Sequence, residues 1–409
     1  MLLRLIAAIS LFLLVGCASQ PSSTEGDDAN VTNSSLAPLK NSVDLNVAWR
    51  TQLGEGPGDA YNRIELAVVE QTVYAVSVDG SVYALSLTNG RTQWRQRLSV
   101  PITGGITHDN GELFVTTLDG QLHALSAEDG SHQWSARLTS EAIAPVGVDR
   151  RRVFVQTVDG RITAFERRDG RQAWTYENAM PILTLRGTSA PLVLDQFVIA
   201  GFATGRVLAL DKVLGIPRWD VRLATADGRS ELERLVDIDG TPLWHNGMIY
   251  AASYHGNVAA IGLNGDVRWQ EAGSSYSAPE IALGSLYLTL DDSRIRAYDL
   301  MNGASQWQQT ALQGRHVGPV TAIDGYLAVA DREGYVHLLR QVDGDLVGRL
   351  LIRPKPIHVS YPNQTEATNW RALRGRDFGV RSRMVATEQG VLVYTNHGEL
   401  LLLSLHPRG

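Results

Sequence analysis

The side chains of this chain that could do chemistry are scattered rather than gathered. There are ten histidines, and no two have the H-x-x-x-H or H-E-x-x-H spacing that puts two imidazoles on one helix face for a metal. No G-x-S-x-G elbow presents a nucleophilic serine, and no G-x-x-x-x-G-K loop cradles phosphate. The Gly-rich stretch Leu53–Gly58 contains Pro57 and has the wrong spacing, so it reads as a loop. The 43 Asp and Glu residues include pairs that could form a glycosidase dyad, but most of the aspartates sit in turns. No Asp/Asn/Glu cluster has calcium-loop spacing. The only cysteine is Cys17, so no intramolecular disulfide can form. A net charge of -6 argues against nucleic acid as the main partner. No catalytic, cofactor-binding or metal-binding residue is expected, and binding takes precedence over catalysis.

The N-terminus has its own chemistry. Arg4 precedes the apolar run Leu5–Val15, which is too short to span a bilayer comfortably. The run ends in Leu14-Val15-Gly16-Cys17. That quartet resembles the lipobox of bacterial lipoproteins, in which the signal (here residues 1–16) is cut before Cys and the thiol is lipidated. The resemblance implies a palmitate-type acyl anchor on Cys17. With Ala18 rather than Asp next, it also implies delivery to the outer membrane. The plainer alternative is an ordinary export signal with an incidental cysteine. Each buried methylene of an anchor adds ~0.8 kcal/mol to membrane attachment. Residues 17–43 are rich in Ser, Asn, Asp, Thr and Pro and read as a flexible tether.

Beyond the tether one pattern recurs: Gly, any, apolar, any, small, apolar, a turn ending in Gly, then Trp. It reads GSVYALSLTNGRTQW at Gly80–Trp94, and its copies start at 120, 160, 205, 256, 293, 334 and 398. A period near 40 indicates a propeller of four-stranded blades. Val82, Ala84 and Leu85 make a strand of the alternating type. Asp79-Gly80, Asp119-Gly120 and Asp159-Gly160 read as two-residue hairpins with positive φ. The Trp strand follows a second turn, and one large indole per blade can wedge neighbours together. Pro145, Pro191, Pro242, Pro279 and Pro319 mark starts of inner strands, where no ladder donor is required. The seventh copy has Gly348 at the Trp position, and the eighth stops before its outer strand. Asn46-Val47-Ala48-Trp49-Arg50 looks like that missing strand at the other end of the chain. The expected fold is all-β, an eight-bladed propeller over residues 44–409 closed by pairing of N- and C-terminal strands. The alternative is seven blades with loose ends.

The G-x-ϕ-x-A-L…G-x-x-W unit resembles the repeat of pyrroloquinoline-quinone (PQQ) enzymes. That resemblance is specific for the fold and leaves function open. Quinoprotein dehydrogenases hold PQQ with Ca²⁺, carboxylate and amide ligands and commonly an adjacent cysteine pair. This chain has no cysteine after position 17. The closer resemblance is to the outer-membrane protein assembly factor BamB family. It rests on the lipobox, the tether, the eight repeats and two motifs that interrupt them, Met180–Pro191 and Glu231–Pro242. In that family the L-x-L-R-G and D-x-D loops meet the periplasmic domains of BamA, the β-barrel insertase. Carried over by position, the partner-binding residues are Leu183, Leu185, Arg186, Asp237 and Asp239. The resemblance also implies the other assembly subunits as partners, and it leaves open direct binding of unfolded outer-membrane clients.

Loop lengths lead to the same places. Trp174 to Pro191 spans 17 positions and Trp219 to Pro242 spans 23, against 11 from Trp134 to Pro145. Enlarged loops on a rigid scaffold are where binding tends to reside. Both belong to adjacent blades and should lie side by side on one mouth of the ring. If they are exposed, charge reversal at Arg186 or Asp237 leaves folding nearly unchanged. A second reading is that the leucines pack down and Arg186 pairs internally with Asp237 or Asp239. The last repeat carries an insertion, about 353–383, with seven Lys or Arg against Glu366 and Asp377. It is either a solvated loop or a contact for an acidic surface or anionic lipid.

The expected function is a non-enzymatic scaffold lipoprotein on the periplasmic face of the outer membrane. It binds BamA, assists barrel insertion and needs no cofactor. A PQQ-dependent oxidoreductase, or a propeller holding a glycan or peptide in its channel, is the alternative.

Overall fold

The computed structural model describes residues 36–58, 63–181, 183–185, 188–352, 358–359, 367–368 and 379–408. The signal segment, Cys17, most of the tether, Arg186 and nearly all of the basic insertion lie outside them. All regular elements described are strands. They form eight four-stranded antiparallel sheets arranged as a ring of blades, with one further two-stranded pair, His358–Val359 with Ala367–Thr368. Blade one runs from inside to outside through Ala67–Val69, Thr72–Val76, Ser81–Ser86 and Thr92–Arg97. Blades two to seven repeat that order along the chain.

The middle strands are buried on both faces, because each blade is stacked between two others. Val82, Ala84 and Leu85 are fully enclosed, and Tyr83 between them is only 5% exposed. The alternation in sequence is therefore of apolar groups facing two neighbouring blades, not of buried against solvated groups. Proline falls one or two residues before the inner strands: Pro145 precedes Gly147–Val148, and Pro191 precedes Leu192–Val193. The Asp-Gly hairpins also differ in detail. Gly80 N–H donates to the Ser77 carbonyl, Ser77 N–H donates to the Ser81 carbonyl, and Gly80 alone has positive φ, +87°. That is a three-residue loop with glycine in the left-handed position, which gives the same reversal with one residue more.

Blade eight confirms the closure. Its order is Val385–Thr387, Gly390–Tyr394, Glu399–Pro407 and then Val43–Gln52. The register runs from Val43 opposite Pro407 to Gln52 opposite Glu399, with a bulge between Val47 and Trp49. Blade one has the same bulge before Trp94, where Ala84 faces Trp94 and Leu85 faces Thr92. The N-terminal strand thus has the irregularity of an outer strand as well as its tryptophan.

Seven of the eight joints between blades use one device. An outer-strand indole lies over a turn glycine of the next blade and donates its N–H to a carbonyl of that turn. Trp49 packs on Gly90 and bonds Leu87, 2.8 Å away; Trp134 packs on Gly170 and bonds Arg167 at 2.7 Å. Trp307 packs on Gly344 and bonds Gln341 at 2.9 Å. A side chain on any of these glycines would strike the ring, and their φ is positive, so two constraints select Gly.

The seventh joint is built otherwise. At Gly348 the Val43 main chain fills the place of the indole. Ahead of Val43 the chain straps the outer edge of blade seven. Ser42 N–H donates to the Val347 carbonyl at 2.8 Å, and the Asn41 amide both accepts from Arg349 N–H and donates to its carbonyl. Arg349 Nη1 donates to the Ala37 carbonyl at 2.9 Å, and Leu36 packs against the apolar cluster that Trp307 and Leu346 also cover. The last residues of the polar stretch, 36–42, are therefore held against the ring. On its inner side Arg349 Nε donates to His337 Nδ1 at 3.2 Å, and His337 Nε2 lies 3.0 Å from Asp331.

Candidate partner-docking mouth

Strands alternate in direction, so the Asp-Gly turns and the connections from outer to next inner strand share one rim of the ring. The two enlarged connections, after Trp174 and after Trp219, stand next to each other there. Ala190 N–H donates to Thr241 Oγ1 at 3.3 Å, which ties them together. The first presents Leu183, 43% exposed, with Leu185 half-buried behind it. In the second, Ser230 and Glu233 form a reciprocal cap. Glu233 N–H donates to Ser230 Oγ, and the Glu233 carboxylate accepts from the amides of Arg229 and Ser230. The single turn so closed holds Leu232 in solvent at 69% exposure.

Below these tips the second loop is pinned and buried. Asp237 and Asp239 are 1% and 0% exposed, and Ile238 between them is fully buried. The Asp237 carbonyl accepts from Tyr254 N–H at 2.7 Å and from Ser253 Oγ at 3.0 Å. Ile238 sits over Gly201, and Gly240 over the Ser277 carbonyl, each too close for a β-carbon. Beside the bridge to Asp237, exposed His255 stacks on Tyr254 with ring centroids 3.9 Å apart.

Burial and the neighbouring Asp239 push the Asp237 carboxyl up to about 9. The amides of Ile238 and Leu185 and the charge of Arg63 oppose that shift without overcoming it. Leu185 and Asp237 therefore meet, as adjacent loops predict. Exposure of the two carboxylates does not hold. They form a base beneath the surface, and a charge reversal at Asp237 would be a folding defect rather than a clean probe of binding. The sequence reading missed Arg63, Tyr254 and Tyr276, whose carbonyl accepts from Arg63 Nη2 at 2.9 Å. Arg63 lies between the Leu53–Gly58 loop and the first repeat, in a stretch the reading left unassigned, and the tyrosines sit where the repeat gives no special signal.

The resemblance to quinone-dependent enzymes would imply a cation cradle. Among the described residues, no three His, Cys, Asp or Glu side chains converge to hold a metal ion. The acidic pair at this mouth is buried beneath the surface and does not open onto a cofactor; the residues do not fit that group.

Ring and repeat together define an eight-bladed propeller of the PQQ-repeat class, with two enlarged loops side by side at one mouth. The family model described as outer membrane protein assembly factor BamB matches residues 33–99 and 78–309. The chain belongs to the BamB family. It is 48% identical over 337 residues to BamB of Pseudomonas aeruginosa, covering 82% of this chain and 87% of that one. The crystal structure of BamB from Moraxella catarrhalis superimposes with TM-score 0.75 at 25% identity, covering 88% of this chain and 99% of that one. A quinohemoprotein alcohol dehydrogenase from Pseudomonas putida shares the fold alone, with TM-score 0.62 at 12% identity over 91% of this chain and 78% of its own.

Proposed function

We propose that this protein is a non-enzymatic scaffold of the outer-membrane β-barrel assembly machinery, docking the periplasmic domains of BamA at the mouth formed by the two enlarged loops. The observation that carries the reading is the pairing of solvent-facing Leu183 and Leu232 with a rigid, buried base in adjacent blades. Exposed apolar tips on a fixed support suit a partner surface better than a small substrate. Arg186, which directly follows Leu185 in the first motif, is read as part of the same contact. An acyl anchor on Cys17 holds the ring at the periplasmic face of the outer membrane, and unfolded clients are a further ligand of the assembled machine.

The test is co-purification with BamA from detergent-extracted envelopes, comparing wild type with Leu183→Glu and Arg186→Glu. Leu183 is exposed, so its substitution spares folding. Loss of BamA from both variants is expected. Folded variants that retain BamA in wild-type amount would end the docking reading.

A further inference from the structure

Arg63 and Ile64, in the segment between the closing strand and blade one, cross the mouth of the ring. Arg63 N–H donates to the Ile143 carbonyl at 2.7 Å, on the way into blade three. The next carbonyl, of Ile64, accepts from Ser382 Oγ at 2.6 Å, on the way into blade eight. Gly105, at the entry to blade two, has no room for a β-carbon, which would stand 2.8 Å from the Arg63 carbonyl oxygen. The Arg63 side chain then reaches the far side of the ring, where Nη2 donates to the Tyr276 carbonyl at 2.9 Å at the entry to blade six. Ser277, the next residue, carries the carbonyl against which Gly240 rests, 2.4 Å from the position of a β-carbon there. The Asp237–Gly240 segment thus leans on the strand entry that Arg63 holds.

We propose that Arg63 is a positioning residue of the docking mouth: it struts the channel between blades three and six and sets where the Asp237–Gly240 segment, and so the partner surface above it, stands. The inference rests on the docking reading given above. The choice of arginine follows from the job, since a long side chain with a planar fork of donors can bridge an open mouth and still grip a carbonyl. Its charge also falls on Asp237 and favours the ionised carboxylate. Arg63 comes eleven residues after the closing strand Val43–Gln52, and it meets blades three and six only across the closed ring, so the mouth takes its shape only when the ring is shut. Docking competence is then coupled to closure, although no residue of Val43–Gln52 need touch the partner.

The experiment uses the full chain with Arg63→Met and Arg63→Lys. Three quantities are read: affinity for the purified periplasmic domains of BamA, amide exchange across 237–240, and the carboxyl titration of Asp237 by NMR. Arg63→Met is expected to bind about tenfold more weakly, the scale of one lost charge-assisted hydrogen bond. Exchange should quicken across 237–240 and the Asp237 titration should move to higher pH, with Arg63→Lys restoring part of each. Wild-type exchange and titration in Arg63→Met would overturn the proposal, even if binding fell, because Arg63 would then be a contact and not a strut. If wild type itself binds no BamA domain, the docking reading fails, while exchange and titration still decide whether Arg63 positions the segment.

Discussion

The carbonyl oxygen of Val43 lies 2.6 Å from the point where a β-carbon on Gly348 would stand. Blade seven therefore lacks its tryptophan for a steric reason. The closing strand passes where the indole would sit, and backbone and strap contacts join blades seven and eight instead. Gly348→Ala should cost about 1–3 kcal/mol, as overpacking does, and Gly348→Trp should prevent closure. Urea denaturation of both variants, with proteolysis of the N-terminal strand as a second readout, checks this. A neutral Gly348→Trp would refute it.

An ordinary joint should respond in the opposite way, to loss of bulk. Trp269 is 8% exposed, lies 6.0 Å from the Tyr250 ring, packs on Gly303 and donates to the Leu300 carbonyl at 3.1 Å. Trp269→Ala should destabilise by about 3–5 kcal/mol. The measurement is the denaturation midpoint at constant slope.

Asp237 makes stability depend on pH with a definite sign. Its folded pKa is pushed up to about 9 from the usual 3.8. The folded state therefore keeps a proton that the unfolded chain releases, and stability is lost as pH rises from about 4 towards 9. Asp237→Asn should be more stable than wild type by about 2 kcal/mol or more at pH 8.5, with the gap closing towards pH 4. Equal pH profiles for the two proteins would show that Asp237 is ionised in the ring.

His337 gives the opposite slope. Burial, with Arg349 and Arg315 nearby, lowers its pKa from 6.5 against the pull of Asp331. The folded imidazole stays neutral, with Nδ1 accepting from Arg349. Stability is thus full above pH 6.5 and falls as the unfolded histidine gains its proton. A protonated Nδ1 would face the Arg349 guanidinium, whose Nη1 holds Ala37. Amides of residues 36–42, corrected for intrinsic rates, should exchange faster at pH 5 than at pH 7. Unchanged protection would separate His337 from the strap.

Much of the ring was legible because each unit repeats its own constraints. Gly90 and Trp49 select each other in every blade that copies them, so spacing alone counted the blades. The strand at Asn46–Arg50 could be assigned to blade eight because it carried a tryptophan with no partner before it. Loop length singled out the two enlarged loops, and their place in adjacent blades put them side by side. Burial of Asp237 and Asp239 was not legible, since polar residues in a long connection look solvated. What covers them comes from Tyr254, Gly201 and Ser277, residues far along the chain or in the next blade. Arg63 was hidden for the same reason: its partners at 143 and 276 meet it only across the closed ring.

The register that pairs Val43 with Pro407 also orders events in time. The first strand to be synthesised is completed by the last, across nearly the whole length of the chain. Such a long-range closure makes for slow folding. Until the C-terminal strand arrives, Val43–Gln52 is a bare edge open to pairing with other chains. This protein therefore passes through a stage in which it needs protection of its own, and during that stage the Arg63 strut, and the mouth it shapes, do not yet exist.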